Sequence, residues 1–173
     1  TLDRSSAASD VYKRQALAER PDILYNEGLT NFAKRNYYQA AKKFGAIEKR
    51  YASSPWAKRA ILMEAYCNYL QRHYDETVAT AQRYLDVYSA TPQAAYAAYL
   101  IGLGHFAKIA NLANDQKEAQ QTVEAMQKLI KDYPHSQYVE DAQVKIRLAR
   151  EQLAAKEMQV GRCLLYTSPS PRD

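Results

Sequence analysis

The sequence predicts an all-α fold, a tetratricopeptide-like α-solenoid of about three helical hairpins followed by one terminal helix. The main observation is an internal repeat with an offset of 37 residues, which aligns small, aromatic and helix-breaking positions. The aligned pairs are Leu24 with Ile61, Gly28 with Ala65, Phe32 with Tyr69, Tyr37 with Tyr74, Tyr51 with Tyr88, and Pro55 with Pro92. A repeat near this length is typical of stacked helical hairpins, which usually bind other macromolecules.

Composition supports a packed helical domain. The chain has 173 residues, 47% of them hydrophobic, with only 5 glycines and 6 prolines, which argues against disorder. Its 15 tyrosines suit helix faces that are half buried and half solvated. No apolar run approaches the roughly 18 residues that a membrane span needs, so we do not expect an integral membrane protein.

The two ends differ from the middle of the chain. Residues 1–15 and 163–173 have no helical period and no place in the repeat, and both resemble translated sequencing-adapter sequence. We expect them to be disordered; a disordered tag or tail is the alternative. The solenoid is then predicted to cover residues 16–162, truncated relative to a complete protein.

Start and stop signals predict the first four helices. Pro21 and Asp22 open the first, since proline is tolerated at the first helical position and an acid there complements the helix dipole. A turn at Asn36 leads to the second helix, which ends before Pro55. The third and fourth repeat this plan, with bounds of about 56–72 and 74–88 and a turn at His73.

Three further helices are predicted in the second half. The fifth covers about 93–109, and its Gly102 would let two helices approach closely. A loop at 110–115 offers Asn114 or Asp115 as a cap for the sixth helix, which ends near Tyr133. The seventh covers about 136–160 and has no predicted partner helix.

Residues with catalytic or metal-binding chemistry are few. His73, His105 and His135 lie far apart without metal-ligand spacing, and no nucleophile arrangement or phosphate loop can be read. Cys67 lies among apolar residues and is predicted to be a buried hydrophobe. We therefore expect no enzyme activity, no cofactor and no metal. The net charge of the chain is +5, and the first half is basic because it contains the pairs Lys34-Arg35, Lys42-Lys43, Lys49-Arg50 and Lys58-Arg59. For such charges a solvated helix face is a more frequent role than a nucleic-acid site.

An aromatic stripe on alternate helices is the candidate peptide- and partner-binding surface. Its members recur at helical spacing on the first, third and fifth predicted helices, together with Leu29. They are Tyr25, Phe32, Tyr66, Tyr69, Tyr96, Tyr99 and Phe106. The same spacing serves the core between helices, so packing is the more frequent role for any one of them. Replacement of Tyr66 and Tyr99 by serine, with helicity as the control, would separate the two roles.

Several segments carry a family resemblance. The stretch from Arg35 to Phe44 resembles a tetratricopeptide motif with arginine replacing the usual turn glycine. The segments 51–57, 132–138 and 145–162 resemble the BamD family, outer-membrane lipoproteins of the β-barrel assembly machinery. The resemblance implies a location at the periplasmic face of the outer membrane, with a lipid anchor in the full-length protein. It also implies three kinds of partner. They are BamA, which would bind through its POTRA domains, the other assembly-complex lipoproteins, and unfolded outer-membrane protein segments.

Two other functions remain open at this point. A periplasmic repeat protein that coordinates cell-envelope division or peptidoglycan synthesis would share the hairpins. A nucleic-acid binder using the basic first half would show binding that falls steeply with salt.

Overall fold

The computed structural model describes residues 3–18, 20–111 and 116–167, and within these ranges every regular element is an α-helix. The helices are α1 (Asp3–Ala18), α2 (Pro21–Ala33), α3 (Tyr37–Arg50), α4 (Pro55–Leu70), α5 (Tyr74–Tyr88), α6 (Ala94–Asn111), α7 (Gln116–Asp132) and α8 (Val139–Thr167). They belong to two compact units, an amino-terminal unit (Thr1–Ser89) and a carboxyl-terminal unit (Ala90–Asp173). The predicted all-α class is confirmed for the described residues.

Two helical hairpins, α2 with α3 and α4 with α5, make up most of the amino-terminal unit. Helix α4 packs against α2, α3 and α5 and is therefore the central helix. It begins at Pro55, where the Ser54 side chain accepts a hydrogen bond from the Trp56 amide at 3.2 Å. The core of the first hairpin and α4 consists of Leu24, Ala40, Phe44, Ile47, Ala57, Ala60 and Cys67. The predicted hairpin arrangement, and burial of Cys67, are confirmed here.

The turns of these two hairpins have the same backbone geometry. Arg35 and Arg72 lie 37 residues apart, and both have a left-handed φ, of 59° and 63°. The next residues, Asn36 and His73, have φ and ψ angles of −86° and 70° and of −85° and 71°. The repeat found in the sequence is therefore also a structural repeat within the amino-terminal unit.

Replacing Arg35 with glycine should stabilise the amino-terminal unit by about 0.5–1 kcal/mol. The left-handed conformation is unfavourable for a side chain with a Cβ, and the extra freedom of glycine in the unfolded chain offsets only part of the gain. Urea unfolding followed by the fluorescence of Trp56, the single tryptophan, measures the change. Lys34→Gly is the matched control, because Lys34 has an ordinary φ of −79° and should lose stability instead. Destabilisation by both substitutions would contradict this account of the turn.

The carboxyl-terminal unit contains the three helices α6, α7 and α8, each of which packs against the other two. Its largest buried side chains include Leu100, Met126 and Leu129. The predicted close approach at Gly102 is confirmed, because a Cβ placed there would lie 2.5 Å from Cε of Met126. Gly28 plays the same part in the amino-terminal unit, where a Cβ would lie 2.6 Å from Cε1 of Phe44.

Helix α8 has bounds that differ from the prediction. It begins at Val139 and not near Ser136, because successive turns follow Pro134. In these turns the backbone N–H of Ser136 donates a hydrogen bond to the Tyr133 carbonyl, and that of Val139 donates one to the Ser136 carbonyl. It also continues beyond 160. The predicted caps for α7, Asn114 and Asp115, lie outside the described residues.

The two ends of the chain are helical over their described residues. Helix α1 covers Asp3–Ala18 and α8 continues to Thr167. All described side chains from 7 to 14 and from 161 to 166 are exposed. Burial of side chains therefore contributes little to the stability of either helical segment. Residues 1, 2 and 168–173 lie outside the described residues. The division at residues 15 and 163 stays a prediction.

Across residues 3–18, 20–111 and 116–167, no helix has both the length and the apolarity that crossing a bilayer requires.

Candidate protein-binding surface

In the amino-terminal unit, the predicted aromatic residues lie where α2 meets α4. The Tyr25 ring packs against Trp56 with centroids 5.1 Å apart and against Phe44 at 5.3 Å. Further along the same pair of helices, the Phe32 and Tyr66 rings are 5.9 Å apart. These contacts join the two hairpins and leave the rings half-buried.

A second ring contact recurs at the turn of each hairpin. Phe32 packs on Tyr37 at 5.5 Å, and the equivalent pair one repeat later, Tyr69 and Tyr74, packs at 5.7 Å. Burial is the main reason that the pKa of the Tyr69 hydroxyl lies above its ordinary value. Tyr69 is thus half-buried and held in place by its own hairpin.

In the carboxyl-terminal unit, two predicted residues contact one tyrosine. The Tyr99 ring stacks on Tyr138 with centroids 4.7 Å apart, and Tyr96 lies 5.7 Å from the same ring. The Tyr99 hydroxyl donates a hydrogen bond to Asp141. Burial would raise the pKa of Asp141, but hydrogen bonds from Lys145 and Tyr99 outweigh this effect and lower it. This end of α6 is therefore joined to the start of α8.

The last predicted residue, Phe106, packs in a separate part of the same unit. It contacts the buried cluster of Ile109, Ala119 and Ala149. The ammonium group of Lys145 lies 5.2 Å from the centre of the Phe106 ring, a cation–π distance.

All seven predicted residues are half-buried and contact neighbouring side chains. The structure brings Tyr25, Phe32, Tyr66 and Tyr69 together in one unit and Tyr96, Tyr99 and Phe106 in the other. Leu29, on α2 between Tyr25 and Phe32, is 39% exposed. It is the stripe member most accessible to a partner, and ligand contact by the seven stays a prediction.

Sequence reasoning missed a buried carboxyl group in the amino-terminal unit. Glu64 projects from α4 against Gly45, where a Cβ would come within 3.1 Å of its Oε1. Arg83 donates two hydrogen bonds to Glu48, at 3.1 and 2.9 Å, and its Nη2 lies 3.7 Å from Glu64 Oε2. Burial, followed by the neighbouring charge of Glu48, raises the pKa of Glu64 to about 7. A lone acid within the apolar run 60–67 was the signal in the sequence.

A second buried carboxylate, Glu118, joins α7 to α6. Its side chain is 6% exposed, and it contacts Lys108 Nζ at 2.6 Å and His105 Nδ1 at 2.8 Å. Burial would raise the pKa of Glu118, but hydrogen bonds from Lys108 and His105 outweigh that effect and lower it. His105 therefore has a structural partner, the carboxylate of Glu118.

Within 3–18, 20–111 and 116–167, no group of three or more histidine, cysteine, aspartate or glutamate side chains is placed to hold a metal ion.

Comparison with known proteins shows the family. A family model described as YfiO, outer membrane lipoprotein, matches residues 18–167. A curated relative from Caulobacter vibrioides, named "Outer membrane protein assembly factor BamD", is 34% identical over 148 residues, covering 85% of this chain and 48% of the relative. The protein of the same name from Rickettsia prowazekii is 32% identical over 142 residues, covering 82% of this chain and 57% of the relative.

The chain thus spans about half the length of the curated relatives it matches. The match confirms the resemblance found in the sequence. The chain belongs to the YfiO family of outer-membrane lipoproteins, and its curated relatives carry the name BamD.

Proposed function

We propose that this chain is part of a non-enzymatic scaffold that assembles β-barrel proteins into the outer membrane. The family match over residues 18–167 is the observation that carries the proposal. Relatives that cover most of this chain are named assembly factors. The full-length protein would act at the periplasmic face of the outer membrane, held there by a lipid anchor.

The proposed partners are of two kinds. BamA, through its POTRA domains, and the other assembly-complex lipoproteins would be stable partners, and unfolded outer-membrane protein segments would be transient ones. A strand of a membrane barrel carries apolar side chains at every second position. Such a segment could lay these side chains against the partly exposed aromatic edges and Leu29 on the α2 and α4 side of the amino-terminal unit.

Leu29→Gln should weaken binding of a strand peptide by about tenfold, because a leucine side chain buried on binding contributes roughly 1.5 kcal/mol. The probe is a fluorescein-labelled peptide with the alternating apolar pattern of a barrel strand, followed by anisotropy. Val87→Gln is the matched control, since Val87 is a 70% exposed apolar residue on α5. It should bind like the parent chain.

Two results would contradict the proposal. One is a parent chain that binds neither the strand peptide nor purified POTRA domains. The other is equal loss of peptide binding in both variants. Leu29 is a better test site than Tyr66 or Tyr99, because removing those rings would also remove the contacts with Phe32 and Tyr138.

The family match favours assembly over a role in envelope division or peptidoglycan synthesis. Nucleic-acid binding makes a different prediction, namely affinity that falls steeply with salt. Binding of the uncharged strand peptide should change little over the same range of salt.

A further inference from the structure

A second surface lies in the amino-terminal unit, apart from the aromatic stripe. It is an open groove of about 500 Å³, with α4 as its floor and α3 and α5 as its walls. Glu64, Asn68 and Gln71 form the floor at helical spacing, on a different side of α4 from Tyr66 and Tyr69. Many of the wall residues are small, namely Ala41, Gly45, Ala46 and Ala79.

The dimensions suit an extended peptide. Helix α3 has 14 residues, which corresponds to about 21 Å at a rise of 1.5 Å per residue. An extended chain rises about 3.3 Å per residue, so about six residues would lie along this wall. Small wall residues let a main chain approach the helices closely.

The charges on the rim indicate the chemistry of the ligand. Lys42 and Lys49 are exposed on α3, and Lys49 interacts electrostatically with the carboxyl group of Glu64. Lys42 lies 4.5 Å from the centre of the ring of Tyr38, which is 54% exposed at the same end of the groove. Arg83, on the opposite wall, is already bonded to Glu48. Lys42 and Lys49 thus both line the groove and face solvent, where the carboxylates of a ligand can reach them.

Asn68 offers hydrogen bonds to a peptide backbone. It lies on the floor one turn after Glu64, and its side-chain amide has no hydrogen-bond partner among the described residues. A carboxamide carries both donors and an acceptor, so it can bond to both the amide and the carbonyl of one extended residue.

From these contacts we infer that this groove, which we call the α3–α5 groove, binds an extended segment of a partner protein that is rich in aspartate or glutamate. Lys42 and Lys49 bind its carboxylates and Asn68 binds its main chain. The inference goes beyond the proposed function, because it concerns a different surface and a ligand of different chemistry.

The test uses the full chain and a fluorescein-labelled ten-residue peptide in which aspartate alternates with apolar residues. The parent chain should bind it at least tenfold more tightly than the same peptide with asparagine in place of aspartate. The double variant Lys42→Glu/Lys49→Glu should lose at least tenfold in affinity, and Asn68→Ala about tenfold. Lys34→Glu/Lys131→Glu makes the same charge change at exposed positions outside the groove and should bind nearly as the parent does.

Circular dichroism confirms that each variant is folded, and the Asn68 side-chain amide resonances should shift on titration with the peptide. Equal losses in the two double variants would overturn the inference, since they would indicate non-specific attraction. Phosphatidylglycerol vesicles or a single-stranded oligonucleotide that bind through Lys42 and Lys49, while the acidic peptide does not, would also overturn it. Leu29→Gln should leave acidic-peptide binding unchanged, which separates this result from the proposed function.

Discussion

Phe44→Ala should lower the free energy of unfolding of the amino-terminal unit by about 3–5 kcal/mol. The Phe44 side chain is fully buried, contacts the Tyr25 ring at 5.3 Å, and lies against Gly28 of the opposite helix. Its removal leaves a cavity at the centre of the first hairpin. Urea unfolding monitored by Trp56, which packs on the same cluster, measures the loss. Tyr38→Ala, at an exposed position on the same helix, should change stability by less than about 1 kcal/mol.

The effect of Gly28→Ala on the free energy of unfolding should change sign with the residue at position 44. In the parent chain Gly28→Ala places a Cβ 2.6 Å from the Phe44 ring, and overpacking of this kind costs about 1–3 kcal/mol. In a Phe44→Leu background the clash is reduced, and alanine gains roughly 1 kcal/mol of helix propensity over glycine. Gly28→Ala should therefore destabilise the parent chain, whereas the double variant Gly28→Ala/Phe44→Leu should be more stable than Phe44→Leu alone. Additive effects would show that the two positions do not constrain each other.

The hairpins could be predicted because the relevant signals are local and repeated. Proline and asparagine mark helix starts, and the offset of 37 residues aligns Arg35 with Arg72 as well as Phe32 with Tyr69. The repeat aligned Gly28 with Ala65 as a small position, but only the structure shows that Phe44 is the side chain packed against Gly28. Such a contact depends on which faces of two helices meet.

The candidate surfaces were less predictable from the sequence. Helical spacing singled out the aromatic stripe, but the same spacing fits both a core and a ligand surface. The structure shows that each ring is half-buried and in contact with other side chains, so ligand binding by the stripe stays a prediction. The α3–α5 groove draws residues from three consecutive helices, from Tyr38 on α3 to Arg83 on α5. No single sequence segment contains all the residues that line the groove, so the groove can be recognised only once the three helices are packed together.

Glu64 makes the stability of the amino-terminal unit dependent on pH. Its pKa is raised from 4.5 to about 7, first by burial, next by the charge of Glu48, and in opposition to the lowering effect of Arg83. Below pH 4.5 the group is protonated in both the folded and the unfolded chain. Between pH 4.5 and about 7 the folded chain binds the proton more tightly, so its stability falls as the pH rises.

Glu64→Gln should remove this dependence. The variant should match the parent chain at about pH 5 and exceed its free energy of unfolding by on the order of 2–3 kcal/mol at about pH 8, since one pKa unit corresponds to about 1.4 kcal/mol. The side chain is 19% exposed, which limits solvent screening. Urea unfolding curves of Trp56 fluorescence across this pH range provide the measurement.

Two further variants assign the effect to the pair of carboxyl groups. Glu48→Gln removes the negative charge beside Glu64 and should shift the fall in stability to lower pH, because Glu48 favours the protonated form of its neighbour. Glu76→Gln alters an exposed carboxylate that lines the same groove and should leave the pH profile as it is in the parent chain. If the fall persists in Glu64→Gln, other groups cause it and Glu64 is ionised in the folded chain well below neutral pH. If it disappears, a proton held on α4 stabilises the contact between α3, α4 and α5 that forms the floor and walls of the groove.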